Sequence, residues 1–338
     1  MIPDLRGFDR GRWNLLTANN IVLKKVWPWA PSIQRILASQ ERGPAPVRHL
    51  VVASDYGGEH KSASHLVYVY LVVAGGADVW AGAMRALRQR TLGARTMAYK
   101  SLGDAVRQAA LPDFLAAAAA LDGHLVAIAV DKRQKWLSTS PGEAGRFHQA
   151  FHLQCFWNPR ALEALVRKAH FLALLLSVWA PAGADITWLT DHDEFVANDK
   201  RHDDALATAG RLSAIYLNRP MGIFALNTTA QDAPGRYYED LCSIADLAAG
   251  MLSDVRRGLG ADASWDLGPL RLQEPALSLK AQLLLDWFAD GDMRLRKTLI
   301  SIDHFGAQSM VREIWTEPDP SSSPAHEVGQ DSLPMEPT

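Results

Sequence analysis

Cysteine is scarce in this chain: Cys155 and Cys242 are the only two. Two thiols can build neither a disulfide framework nor a four-thiolate zinc site. With no signal peptide in the sequence, they set the expectation of a reducing, cytoplasmic setting. Long hydrophobic runs are lacking too. The longest, FLALLLSVWAPAGA at 171–184, is too short and too broken by proline to cross a bilayer, so no membrane partner is expected. There is no G-x-S-x-G elbow, Walker A loop, G-x-G-x-x-G turn, H-E-x-x-H pair or paired C-x-x-C. The usual signatures of serine hydrolases, P-loop enzymes, dinucleotide enzymes and zinc proteins are therefore missing. A net charge of −2 gives no global pull toward nucleic acid.

What is present is a globular composition, 48% hydrophobic and 21% charged over 338 residues, enough for one large α/β domain with attachments. The charge is unevenly spread. Residues 1–50 hold eight Lys/Arg against three acids, a local +5, with Trp13, Trp27 and Trp29 interleaved. The favoured reading of 1–48 is a segment that docks its indoles on the core; the alternative is a nucleic-acid arm. From Thr316 onward there are five acids and no Lys or Arg, with PDPSSSP inside, a composition expected to be disordered through 316–338. Residues 258–315 contain LSLKAQLLLDWFADGDMRLRKTLISI, which reads as one or two amphipathic helices able to cover the sheet, form a dimer face or dock a partner.

Between these flanks, 49–257 reads as the core. Residues 49–56 and 65–74 are two β-branched runs joined by a Gly-Gly turn, and RTMAYK at 95–100 suggests a third, shorter strand. Helix follows from 104 to 122, with Pro112 at the opening of its second part. HLVAIAVDK at 124–132 is a strand apolar on both faces. A helix over 159–180, a strand ending on Asp191, a helix over 199–218, a strand over 221–228 and a closing helix from Tyr237 complete the series. Strands alternating with helices of this length indicate an α/β fold with antiparallel opening strands and parallel crossovers.

Three of these strands end on a carboxylate: Asp55, Asp131 and Asp191. Functional side chains collect at the carboxyl ends of strands in such sheets. Asp246 lies in the helical stretch SIADLAAG, apolar almost all round, where a solvated carboxylate is out of place. Crowded carboxylates raise one another's pKa, and a divalent cation relieves the repulsion. Oxygen donors without cysteine select Mg²⁺ or Mn²⁺, which can support phosphodiester hydrolysis. Each aspartate also has a plainer reading: a turn residue for Asp55, a partner of Lys132 or Arg133 for Asp131, and a helix-flanking acid for Asp191, with Asp193 or Glu194 as substitutes. His60 and His65 read as solvent-facing residues around the hairpin turn. Glycoside hydrolysis by paired carboxylates stays open on residue type, though the strand-end order argues against it.

The order of these aspartates resembles the ribonuclease H-like superfamily. More narrowly the chain resembles a bacterial family known as domain of unknown function 3800. The resemblance rests on SDYGG at 54–58, LVYVYLVVAGG as hairpin partner, Lys100 in AYKSLGD, AVDK at 129–132, Asp191, and ADLAAG at 245–250. It covers roughly 49–257. It implies a metal-dependent nuclease of ribonuclease H-like fold, often associated with mobile elements and phage defence. Asp55, Asp131, Asp191 and Asp246 would be the metal-holding and catalytic acids, and Lys100, Lys132 and Arg133 would face an RNA or DNA substrate. Tyr56 stands where the family has Glu, so either Glu59 supplies that carboxylate from across the turn or the fold serves as a non-catalytic binding module.

Overall fold

The computed structural model describes residues 27–40, 43–217, 219–232, 236–258, 277–305 and 308–316. Trp13, Trp265 and the acidic tail lie outside the described residues, as does most of the basic start. In chain order the elements are α1 (Ala30–Ala38), β1 (His49–Gly57), β2 (His65–Gly75), α2 (Ala77–Leu87), α3 (Ala105–Ala119), β3 (Asp122–Asp131), α4 (Ala144–Ala150), α5 (Pro159–Trp179), β4 (Asp185–Thr190), α6 (Asp199–Tyr216), β5 (Phe224–Thr228), α7 (Tyr237–Gly258), α8 (Leu279–Ala289), β6 (Leu295–Phe305) and β7 (Gln308–Ile314).

The strands form one mixed sheet in the order β5-β4-β1-β2-β3-β6-β7. β1, β2 and β3 are antiparallel neighbours, and β4 runs parallel to both β1 and β5. β2, HLVYVYLVVAG, is buried along most of its length because it has a strand on each side and helices over both faces. Alternation along β1 sends Val52 and Tyr56 toward the face covered by α5, and Ala53 toward the face covered by α7. Gly57 also faces α7. A Cβ there would stand 2.8 Å from Ser253 Oγ and 3.0 Å from Ala249 O, so glycine permits the helix to approach.

Several sequence expectations are corrected. Residues 95–100 are no strand; the chain makes a short 3₁₀ turn at Tyr99–Ser101. Pro112 opens no second helix but lies inside α3, near its middle. Downstream of residue 258 only α8 is helical among the described residues. β6 and β7 are strands that extend the core sheet, β6 running parallel to β3. Ile300 and Ile302 against Ser301 and Asp303 alternate with a period of two that the helical reading of this stretch overlooked. His65 is not solvent-facing: it is 2% exposed, accepts from Arg256 Nε at 3.0 Å and meets Asp303 at 3.3 Å. Trp27 and Trp29 do dock on the core, donating to the carbonyls of Ser138 and Leu137.

The loop after β3 is held by one buried carboxylate. Glu163 of α5 accepts from the backbone N–H groups of Leu137, Ser138 and Thr139 and pairs with Arg167 at 2.6 Å. Removing it strands a buried guanidinium and three donors. Glu163→Ala is expected to cost about 3–5 kcal/mol of unfolding free energy, read from a shifted chemical-denaturation midpoint.

Candidate functional site

Asp55, near the end of β1, faces α7 between Ala53 and Gly57, and Asp246 of α7 comes down beside it. The two carboxyls are close enough to shift each other's titration. Burial first, and the Asp246 charge second, push the Asp55 pKa well above the usual carboxylate range. Burial raises Asp246 as well, while the backbone N–H of Tyr99, the Asp55 carboxyl and the charge of Lys100 favour its ionised form.

Tyr99 explains two letters of the ADLAAG motif. Its N–H donates to Asp246 Oδ2 at 2.6 Å, and a Cβ on Gly250, one turn further on, would overlap its ring. Its hydroxyl donates to Asp254 at 2.6 Å. The 99–101 turn is thereby clamped along α7 and fixes where Asp246 points.

Asp191 is the third member. Thr190 pairs with Ser54 in the parallel β1–β4 ladder, so Asp191 follows beside Asp55. Its Oδ1 accepts from Thr229 Oγ1 at 2.6 Å and from the His192 N–H at 2.8 Å. Its negative charge acts on both Asp55 and Asp246. Cys242, one turn before Asp246, is buried there too. Burial, and after it the Asp55 and Asp191 charges, push its thiol well up, so it packs as a neutral group.

Asp131 does not join them. In the ladder Asp55 pairs with Val69, and Val69 with Ala127, so the β3 residue level with Asp55 is Ala127. Asp131 stands four positions on, roughly 13 Å along the strand. Burial works against its charge, but Arg133, donating through its side chain at 2.6 Å and its backbone N–H at 2.8 Å, outweighs it and holds the carboxyl below its ordinary value. Arg133 is thus bound to Asp131, and Lys132 donates to the His60 carbonyl at 2.6 Å. Asp193 belongs to the opposite face, paired with Lys168 at 3.0 Å. Glu59 lies exposed beyond the turn, lining a cavity on that same opposite face. Lys100 is exposed, close enough for its charge to act on Asp246.

Tyr56 packs its ring against Tyr68, Tyr70 and Phe195, and its hydroxyl meets Ser54 Oγ at 2.9 Å. It faces away from Asp55, as successive strand residues must. A glutamate here would not have completed the Asp55–Asp246 pair.

For a hard cation the donors fit in type: oxygen only, two of them adjacent and repelling, a third within charge range. Among the described residues no group of three or more His, Cys, Asp or Glu converges as a metal-holding cluster. The donor set suits an ion that takes one or two protein carboxylates and fills its remaining positions with water and substrate oxygen, as Mg²⁺ commonly does. Nor is any described helix long and apolar enough to cross a membrane. Compared with known proteins, the chain matches no family model and no curated protein.

Tyr99, Thr229 and Cys242 were not singled out in the sequence as site residues; only the nearness of Tyr99 to Lys100 hinted at the first. The raised Asp55 pKa gives a testable sign. The folded state binds this proton more tightly than the unfolded chain, so the resulting stability is present in acid and is lost as pH rises through the raised pKa. With divalent ions chelated, Asp55→Asn is expected to stabilise the fold at pH 8, a gain that shrinks toward pH 4. Thermal melts of both proteins across that range check it; a variant less stable than wild type at pH 8 contradicts the raised Asp55 pKa.

Proposed function

We propose that the chain is a metal-dependent nuclease of ribonuclease H-like fold, cleaving phosphodiester bonds of RNA or DNA with Mg²⁺ or Mn²⁺. The observation that carries this reading is the meeting of Asp55 and Asp246, far apart in sequence, as an adjacent carboxyl pair beside Asp191. The strand order β5-β4-β1-β2-β3, with β2 antiparallel to both neighbours, supports it as the arrangement expected of that superfamily. The motif resemblance to domain of unknown function 3800 supports the same assignment and suggests a setting among mobile elements or phage defence.

In this reading Asp55 and Asp246 hold the cation, with Asp191 as the third acid. The bound ion would polarise the phosphate and lower the pKa of the attacking water. Tyr99 favours the ionised form of Asp246 and aims it by donating its N–H. Lys100, exposed next to that carboxylate, is placed to meet a phosphate oxygen. Asp131 has no part, since Arg133 neutralises it. The alternative, a binding module without chemistry, drew its support from Tyr56, and that residue faces the other side of the sheet.

Two measurements test the proposal. Mn²⁺ titrated into the protein should release a proton, seen as a buffer-dependent calorimetric enthalpy, and Asp55→Asn should abolish the release. Cleavage of labelled single- and double-stranded RNA and DNA with Mn²⁺ should fall at least a hundredfold in Asp55→Asn and in Asp246→Asn, and stay near wild type in Asp131→Asn. Cleavage that survives both of the first two variants sinks the nuclease assignment. A protein that binds no Mn²⁺ at millimolar concentration is the non-catalytic module.

A further inference from the structure

On the face of the sheet away from the carboxylate pair, α5 carries a buried ammonium that the reading above does not use. Lys168 Nζ stands 3.0 Å from Asp193 Oδ2, 4.0 Å from the ring centre of Tyr56 and 4.1 Å from that of Phe195. Asp193 is itself committed to the loop, since its Oδ1 accepts from the Phe195 N–H at 3.0 Å and starts the 3₁₀ turn Glu194–Val196. Phe195 stacks on Trp188 of β4, and its ring centre lies 6.1 Å from that of Tyr56. One cation therefore ties three things together: α5, the last turn of β1 and the loop that leaves β4.

That loop begins with Asp191. A single residue, His192, separates Asp191 from Asp193, and their side chains serve opposite faces of the sheet, the first toward Asp55 and Thr229, the second toward Lys168. Phe195 and Val196 are buried in the core, and Arg201 donates to the Glu194 carbonyl at 2.6 Å. Next to Lys168 lies a cavity of about 280 Å³, lined in part by Glu59, Trp157, Glu194 and Arg201. The ion pair and the Phe195 ring contact add the restraint that reaches the loop from α5. The remaining charges near the ammonium are those of Glu59 and Asp55. Neither can replace Asp193 in holding the loop, because both belong to the β1 hairpin.

We infer that Lys168 is a positioning residue: by gripping Asp193 and Phe195 from the back of the sheet it fixes the 191–196 loop, and so sets Asp191 against the Asp55–Asp246 pair on the front. The inference rests on the metal-site reading for its consequence, but not for its structural half. It also gives Tyr56 a purpose, as the ring that receives the ammonium on β1.

Hydrogen exchange and Mn²⁺ calorimetry on the full chain test the two halves separately. Lys168→Met should speed exchange of the 192–197 amides at least tenfold while β1 and α7 keep wild-type protection. Lys168→Arg, which retains a cation for Asp193 and the rings, should restore most of that protection. Because Lys168→Met leaves Asp193 half-buried without a partner, the neutral double variant Lys168→Met/Asp193→Asn is measured beside it and should show the same local loosening. Loss of this outer contact should weaken Mn²⁺ binding about tenfold, as partners of metal ligands typically do. Wild-type exchange at 192–197 in both variants overturns the positioning role, and so does unchanged Mn²⁺ affinity in a wild type that binds the ion. Should the wild type bind no Mn²⁺, the nuclease reading fails on its own, and exchange still decides whether Lys168 holds the loop.

Discussion

Two carboxylates brought close together where α7 crosses β1 work against folding unless something compensates, and the surroundings of Asp55 and Asp246 show what does. The raised Asp55 pKa favours a neutral group there, and the Tyr99 N–H at 2.6 Å favours the charged form of Asp246. Gly57 and Gly250 let the neighbouring pieces close in, the first beneath α7 and the second beneath the Tyr99 ring. These features follow from placing α7 directly over the end of β1. A core built only for stability would bury apolar groups at both aspartate positions.

Sheet connectivity decides which acids can take part. β1 sits between β4 and β2, so an acid one step past the end of β4 falls next to Asp55, whereas an acid on β3 is a full strand further away. Asp131 is further removed by its ladder position, and its own arginine satisfies it. The pKa directions separate the two kinds of aspartate: Asp55 and Asp246 are pushed up, Asp131 is held down. A carboxylate held down by a dedicated guanidinium serves structure, and one pushed up beside another carboxylate has an unmet demand for positive charge.

The sequence made much of this legible. The β1 and β2 runs, the apolar β3 and the long α5 were all expected, because each rests on a local pattern of apolar residues or glycine. Asp246 stood out in an almost wholly apolar helical stretch, and it does pack onto β1. What local pattern could not supply was register. Asp131 ends a strand just as Asp55 does, and only the pairing of Val69 with Ala127 shows that they lie at different levels. Tyr99 escaped notice because its part in the site is played by a backbone N–H, which every residue but proline owns. Strands β6 and β7 were misread because the helical period of α8 was carried past Asp290-Gly291, the turn at which the period changes.

The period of two along β1 also bears on Tyr56. Asp55 and Tyr56 are consecutive, so they serve different layers of the molecule. Asp55 looks toward α7 and Asp246; Tyr56 looks toward α5, where its ring meets the Lys168 ammonium. An acid at position 56 would put a carboxylate beside that same ammonium, in competition with Asp193. With a ring there instead, Lys168 keeps a single carboxylate partner, the one in the loop that carries Asp191. Tyr56 therefore leaves the front of the sheet untouched and concentrates the grip of the back face on the β4 loop.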